Sequence, residues 1–177
     1  MGCEVSLKPQ SGVTLAELLV VLTLVAAVVA VGTAVTVPQI ARETMRSSLH
    51  TGGALLRVAR TEAVKRNRAC KFVVDLGART LSVVDTQGTG TTTDDETLRK
   101  VSLPTVVSIA RPDAGSPISL AGSSPVYYVE FHADGYVTSG AGEMVFCSGT
   151  HYDKITVYSA GGVHYQQWNG SGWIDGP

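Results

Sequence analysis

An uncharged apolar segment near the N-terminus constrains the fold more than any other feature of this chain. Leu18 to Val37 are twenty consecutive residues without a charged side chain. As an α-helix they would extend ~30 Å, which matches the hydrocarbon core of a bilayer. The apolar region of a cleavable secretory signal is shorter, ~7–15 residues. We therefore expect a membrane-spanning helix here, rather than a removed signal or a helix buried in a soluble core.

A single carboxylate, Glu17, immediately precedes this segment. Ionisable groups are costly in lipid, so the position of Glu17 needs a physical explanation. The unpaired N–H groups and the positive dipole end of a helix N-terminus reduce that cost. A cationic partner would reduce it further. The chain provides such a cation if it is cleaved just before the segment, because cleavage creates a new α-amine.

The residues around Glu17 resemble the class III signal of type IV prepilins and type II secretion pseudopilins. Residues 12–22 read GVTLAELLVVL. The family pattern is a leader ending in Gly, an aromatic residue or Met, Thr-Leu, any residue, Glu and a long apolar helix; Val13 departs from it. The resemblance implies cleavage by a prepilin peptidase between Gly12 and Val13 and N-methylation of Val13. It also implies that Glu17 pairs with an N-terminal amine during filament assembly.

The motif and the hydropathy pattern divide the chain into four parts: a leader at 1–12, a transmembrane helix at 13–38, an amphipathic helix at 39–68 and a β-rich domain at 69–177. Pro38 lacks a backbone donor and clashes with the preceding turn, which predicts a kink there. We expect a single-pass protein of the bacterial inner membrane with its C-terminal domain in the periplasm. Arg42 and Arg46 after the span favour the opposite orientation by the positive-inside rule, but long domains translocate largely regardless of charge.

The segment after Pro38 has the pattern of an amphipathic helix. Apolar or small residues recur at spacings of three and four, at Met45, Leu49, Gly52, Leu56, Ala59 and Ala63. This spacing predicts one buried stripe along a helix that ends near Asn67. Two adjacent glycines, Gly52 and Gly53, reduce helix propensity. They indicate either close packing of the helix against a sheet or a flexible joint.

Charge is distributed unevenly along the chain. Residues 42–71 contain eight Lys or Arg and two Glu, whereas the residues after Phe72 contain five Lys or Arg and eleven Asp or Glu. DNA-binding surfaces usually need a larger basic surplus, so we do not expect a nucleic-acid partner. A solvated helix face is the simplest interpretation of the basic segment. Pairing with acidic loops of a neighbouring subunit is the alternative.

From Cys70 onward, short β-type segments alternate with turn residues, which is typical of an antiparallel fold. Residues 70–76 and 80–86 flank Gly77-Ala78-Arg79 and predict a hairpin. The passage from helix to first strand, together with the stretches FHADGYV and KITVYSAGGVHYQQW, is similar to the GspH/FimT group of pseudopilins and minor pilins. This resemblance implies an α+β pilin architecture, in which the long helix packs on antiparallel sheets.

Two cysteines, Cys70 and Cys147, lie in the β-rich part of the chain. Outside the cytosol this pair could form a disulfide. Buried free thiols are the alternative.

The sequence contains no catalytic or metal-binding pattern of the common kinds. The four histidines are scattered, and Asp94-Asp95-Glu96 has the composition of a solvated loop rather than that of a calcium site. We therefore expect no enzyme activity and no cofactor or metal. The expected function is that of a minor pseudopilin or minor pilin whose partners are other pilins, the prepilin peptidase and the inner membrane. The alternative is a membrane-anchored periplasmic binding module that does not polymerise.

Overall fold

The computed structural model describes residues 13–89 and 92–176, and for residues 31–38 it describes the backbone only. The chain divides into two units, Met1–Gln39 and Ile40–Pro177. Over the described residues, the secondary structure consists of one helix, α1 (Leu15–Arg66), followed by eleven strands.

In the first unit, helix α1 exposes its apolar side chains. Across residues 13–30 the large hydrophobic residues are all more than half exposed, from 54% for Leu18 to 79% for Leu15. Within the described residues, no helix is both long enough and apolar enough to cross a bilayer. The membrane span predicted at 13–38 includes residues 31–38, whose side chains lie outside the described part, and the kink predicted at Pro38 falls there too. Both stay predictions.

In the second unit, helix α1 buries one stripe of its surface, as the spacing predicted. Met45, Leu49 and Leu56 are at most 3% exposed, and Ala59 and Ala63 are fully buried. The helix ends at Arg66, one residue before the predicted end. The residues of this stripe therefore have their packing partners within the same chain.

The strands that follow α1 form two antiparallel sheets. In chain order they are β1 (Cys70–Asp75), β2 (Thr80–Asp85), β3 (Glu96–Ser102), β4 (Ser108–Ile109), β5 (Ala121–Ser123), β6 (Val126–Phe131), β7 (Val137–Ser139), β8 (Gly142–Ser148), β9 (His151–Val157), β10 (Val163–Trp168) and β11 (Trp173–Asp175). The first sheet has the order β3-β2-β1-β6-β5, with β7 also paired to β6, and the second has the order β11-β10-β9-β8-β4. The predicted α+β class, with a helix on antiparallel sheets, is confirmed.

The core lies where helix α1 meets both sheets. A Cβ atom at Gly52 would lie 3.4 Å from the side chains of Phe146 and Ile155 in the second sheet and 3.6 Å from Leu81 in the first. A Cβ atom at Gly53 would overlap the phenol of Tyr165 on β10. The two glycines therefore allow the helix to pack closely against the sheets, which was the first of the two predicted roles.

Several details differ from the sequence prediction. The β-type segment at residues 105–112 predicts a strand, but only Ser108 and Ile109 form one. Strands β5 and β11 were not predicted. Strand β9 begins at His151, three residues before the β-type segment at 154–159 that predicts it. Low β propensity explains the miss at β5, because its sequence is Ala-Gly-Ser and its position is set by pairing with Tyr127 and Tyr128.

Both cysteines are free and buried in the structure. Cys70 begins β1 in the first sheet, whereas Cys147 is on β8 in the second sheet, where its thiol donates to the carbonyl of Gly149 at 3.6 Å. Burial, with a contribution from the charge of Asp85, raises the pKa of Cys70 to about 11. The two thiols are thus free in the structure and belong to different sheets, and a disulfide between them stays a prediction.

Candidate assembly site

The N-terminus of helix α1 is closed by a side-chain cap at Thr14. The backbone N–H of Glu17 donates to the hydroxyl oxygen of Thr14 at 3.2 Å, and the N–H of Leu18 donates to the Thr14 carbonyl at 3.1 Å. Thr14 is thus the N-cap residue, and Glu17 is the third residue of the helix. This Thr-x-x-Glu spacing is that of a capping box, and the cap could have been predicted from it. Val13 lies just outside the helix.

The apolar residues after Glu17 form a continuous exposed surface. Their side chains surround the helix through Val29, and Thr23 is the one polar residue among residues 18–30. Exposed apolar surfaces of this extent mark contacts with other proteins or with lipid. Within the described residues, no cation lies within ion-pair distance of the Glu17 carboxylate.

At the other end of the helix, a buried carboxylate fixes the chain as it enters β1. Asp85 is fully buried and accepts from Arg66 at 2.7 Å, from Arg68 at 2.6 Å and from the backbone N–H of Gln87 at 3.0 Å. Burial raises the pKa of Asp85, but the hydrogen bonds from Gln87, Arg68 and Arg66 outweigh that effect and lower it below its ordinary value. This cluster ties the end of α1 to the first sheet.

A second buried carboxylate, Asp153 on β9, has the opposite environment. It is 4% exposed, and its Oδ1 atom has no hydrogen-bond partner among the described residues. Burial raises the pKa of Asp153, although the charges of Arg46, Arg42, His151 and His50 oppose that shift. The buried Nε atoms of Arg42 and Arg46 likewise have no hydrogen-bond partner in the described part of the chain. These positive charges are therefore close enough to influence the pKa of Asp153, but within the described residues none of them forms an ion pair with it.

A groove of about 760 Å³ runs between helix α1 and the turn from β9 to β10. We call it the Arg57 groove. Arg57, Arg60, Val64 and Lys65 line it from the helix, and residues 161–163 line it from the turn. It lies entirely within the second unit.

The residues proposed from sequence occupy different parts of the molecule. Val13 and Glu17 lie together at the start of α1, while Gly12 lies outside the described residues, as does the side chain of Pro38. The cap formed by Thr14, the Asp85 cluster and the Arg57 groove were not anticipated. The last two depend on contacts between residues far apart in the chain, which periodicity does not reveal.

Comparison with protein families identifies the globular part of the chain. The model described as "Type II transport protein GspH" matches residues 53–161, more than half of the chain. The chain belongs to the GspH family. A second model, described as "Prokaryotic N-terminal methylation motif", matches residues 7–33. Among curated proteins, none matches the chain significantly.

Two solved structures are similar, and both are crystal structures of the type IV minor pilin FimU of Pseudomonas aeruginosa. One is 22% identical with a TM-score of 0.46, and covers 73% of this chain and 96% of its own. The other is 21% identical with a TM-score of 0.48, and covers 75% and 94% respectively.

A GspH domain that follows an N-terminal methylation motif defines a minor pilin or pseudopilin, and this is the function of the chain. Members of the family are structural subunits of pilin type. Membership implies anchoring at the inner membrane, a periplasmic domain and assembly with other pilins. The earlier expectation of a GspH/FimT-type subunit is confirmed.

Proposed function

We propose that this GspH-family chain is cleaved between Gly12 and Val13 by a prepilin peptidase, methylated at Val13, and assembled into a type II secretion pseudopilus or a related type IV pilus. The observation that carries the proposal is the position of Thr14. It caps α1, so the helix begins two residues after the proposed cleavage point, and Val13 stays outside the helix. Cleavage before Val13 would then leave the helix cap intact.

Glu17 has the central role in the proposed assembly. Its backbone N–H serves the cap, whereas its carboxylate is left to bind a group from outside the described chain. The methylated amine of a neighbouring subunit would be such a group. A charge in an apolar layer is tolerated when an opposite charge compensates it, so pairing would favour the assembled state over the free precursor.

The apolar surface of residues 13–30 supports the same proposal. We propose that residues 13–38 cross the inner membrane once before assembly and pack against neighbouring helices within the filament afterwards. Both environments would cover side chains that the first unit leaves exposed.

Two measurements on the full chain in its host test the proposal. Intact mass should correspond to residues 13–177 with one added methyl group. Glu17→Gln should leave membrane insertion unchanged and reduce incorporation into filaments by about tenfold or more, since the amide carries no charge to pair. Glu43→Gln is the matched control, because Glu43 is also an exposed glutamate of α1.

Other outcomes would contradict the proposal. A chain that retains residues 1–12 and never enters a filament would instead be the membrane-anchored binding module. A Glu17→Gln variant that assembles like the Glu43→Gln variant would exclude the charge-pairing role.

A further inference from the structure

The Arg57 groove combines an apolar floor with a cationic edge. Val64 is 51% exposed, and Val163 at the start of β10 lines the same groove. Arg57, Arg60 and Lys65 supply three positive charges, and no acidic residue lines the groove. Arginine beside apolar surface is a common composition of the central residues of protein interfaces.

The two arginines of the groove have only neutral partners. Arg57 donates to the hydroxyl oxygen of Tyr165 at 3.5 Å, and Arg60 donates to the carbonyl of Gly161 at 3.2 Å. Over the described residues, neither guanidinium lies within ion-pair distance of a carboxylate. Arg66, three residues beyond Ala63 on the same helix, contacts three carboxylates within 3.4 Å.

This contrast indicates that the charges of Arg57 and Arg60 are available to an external ligand, whereas Lys65 is already paired with Glu62 at 3.7 Å. A guanidinium that is held by neutral oxygens keeps its full attraction for a carboxylate. Arg60 is also positioned in advance, because its bond to Gly161 holds its side chain against the turn. Positioning of this kind reduces the entropy lost on binding.

We propose that the Arg57 groove binds an acidic loop of a neighbouring pilin subunit, with a carboxylate against Arg57 and Arg60 and an apolar side chain on Val64. Charge complementarity argues for this occupant. The β-rich part of this chain itself carries eleven acidic residues and only five basic ones after Phe72, and a neighbour of the same build would present acidic loops. The inference rests on the proposed assembly function and adds the surface that the globular domain contributes to it.

The apolar floor favours a protein loop over nucleic acid. A phosphate backbone offers no apolar side chain for Val64 and Val163, and stable binding to it usually needs more cations than the three found here. Nucleic acid is nevertheless attracted by the same charges, so the test must be able to detect it.

The test uses a photo-crosslinking residue in the full chain, in its host. Thr61 lies in the groove and is exposed, and Lys100 on β3 provides an exposed control position outside it. After irradiation of assembled filaments, the adduct from position 61 should map by mass spectrometry to a loop of another pilin subunit that contains Asp or Glu. The adduct from position 100 should not map to that loop.

Two double variants then test the charges. Arg57→Gln with Arg60→Gln retains hydrogen-bond donors and removes both charges, and should reduce the adduct about three- to tenfold. Arg57→Lys with Arg60→Lys retains both charges and should preserve most of the adduct. Unchanged melting temperatures would verify that both variants are folded.

Three results would overturn the inference while leaving the proposed function intact: incorporation without an adduct at position 61, an adduct only to nucleic acid or to a loop without acidic residues, or an adduct that persists unchanged in the glutamine variant. Absence of the wild-type chain from filaments would instead contradict the proposed function, and the inference with it.

Discussion

Helix α1 contains two segments of opposite burial. Residues 15–30 expose every large apolar side chain, whereas residues 40–66 bury a stripe from Met45 to Ala63 that is almost inaccessible to solvent. The difference shows that a helix need not have its packing partners within its own chain. The second segment is stabilised by the two sheets, while the first leaves its large apolar side chains exposed, to be covered by lipid or neighbouring subunits in the function proposed above.

The largest expected effect is on the free energy of unfolding, and it distinguishes the two segments directly. Leu56 is 1% exposed in the core, so Leu56→Ala should lower the free energy of unfolding by about 3 kcal/mol through lost burial and a residual cavity. Leu22 is 56% exposed, and Leu22→Ala should change it by less than about 0.5 kcal/mol. Denaturant unfolding of the full chain in detergent, followed by the fluorescence of Trp168 and Trp173, measures both. Equal losses in the two variants would contradict the comparison.

Asp85 tests how the second segment is fixed at its end. Asp85→Asn should lower the free energy of unfolding by about 2 kcal/mol at neutral pH, because it weakens charge-assisted bonds to Arg66 and Arg68. The pKa of Asp85 is lowered in the folded protein, so this stabilisation is present above the unfolded pKa of about 4 and is lost as the pH falls through the folded pKa. The wild type and the variant should therefore converge in stability below about pH 4. A constant difference across this range would exclude Asp85 as the titrating group.

Gly53 tests the closeness of helix and sheet. Gly53→Ala should cost roughly 1–2 kcal/mol of unfolding free energy despite the better helix propensity of alanine, because the new methyl group overlaps the phenol of Tyr165. Gly52→Ala meets its neighbours at 3.4 Å or more and should be close to neutral. Tyr165→Phe removes the nearest atom, and should restore part of the loss when combined with Gly53→Ala. A flexible joint would instead be stabilised by alanine at both positions.

The features that sequence predicted well are those that repeat locally. The three- and four-residue spacing from Met45 to Ala63 gave the buried stripe, and the turn at Gly77-Ala78-Arg79 gave the hairpin of β1 and β2. Strand β5 was not predicted, because its pairing with β6 and not its composition makes it a strand. Strand β11 is a three-residue segment whose Trp173 is held by Lys154 over its ring at 4.7 Å and by Trp168 at 5.3 Å. Neither Lys154 nor Trp168 could be identified as a partner of Trp173 from residue spacing in the sequence alone.

The candidate site also contains some features with a local sequence pattern and others that depend on contacts between distant residues. Val13 and Glu17 could be proposed because the motif is contiguous, and the Thr-x-x-Glu spacing was present for Thr14 as well. The Arg57 groove required the turn at Gly161 to meet the helix a hundred residues earlier in the chain. A contact of that sequence separation is decided by the whole fold, so the basic residues of α1 predicted a charged face but not a groove.

The smallest expected effect has the opposite sign and concerns the beginning of the second segment. Asp153 is buried near Arg42 and Arg46 without an ion pair, so Asp153→Asn should raise the free energy of unfolding by about 1 kcal/mol at neutral pH. The pKa of Asp153 is raised in the folded protein, so its contribution to stability is full below the unfolded pKa of about 4 and is lost as the pH rises through the folded pKa. The advantage of the variant should therefore shrink as the pH is lowered toward 4, whereas the deficit of Asp85→Asn should stay nearly constant down to about pH 4 and shrink only below it. If Asp153→Asn were destabilising at neutral pH, the carboxylate would have to be paired with Arg42 or Arg46 in solution, and the two buried aspartates would be equivalent.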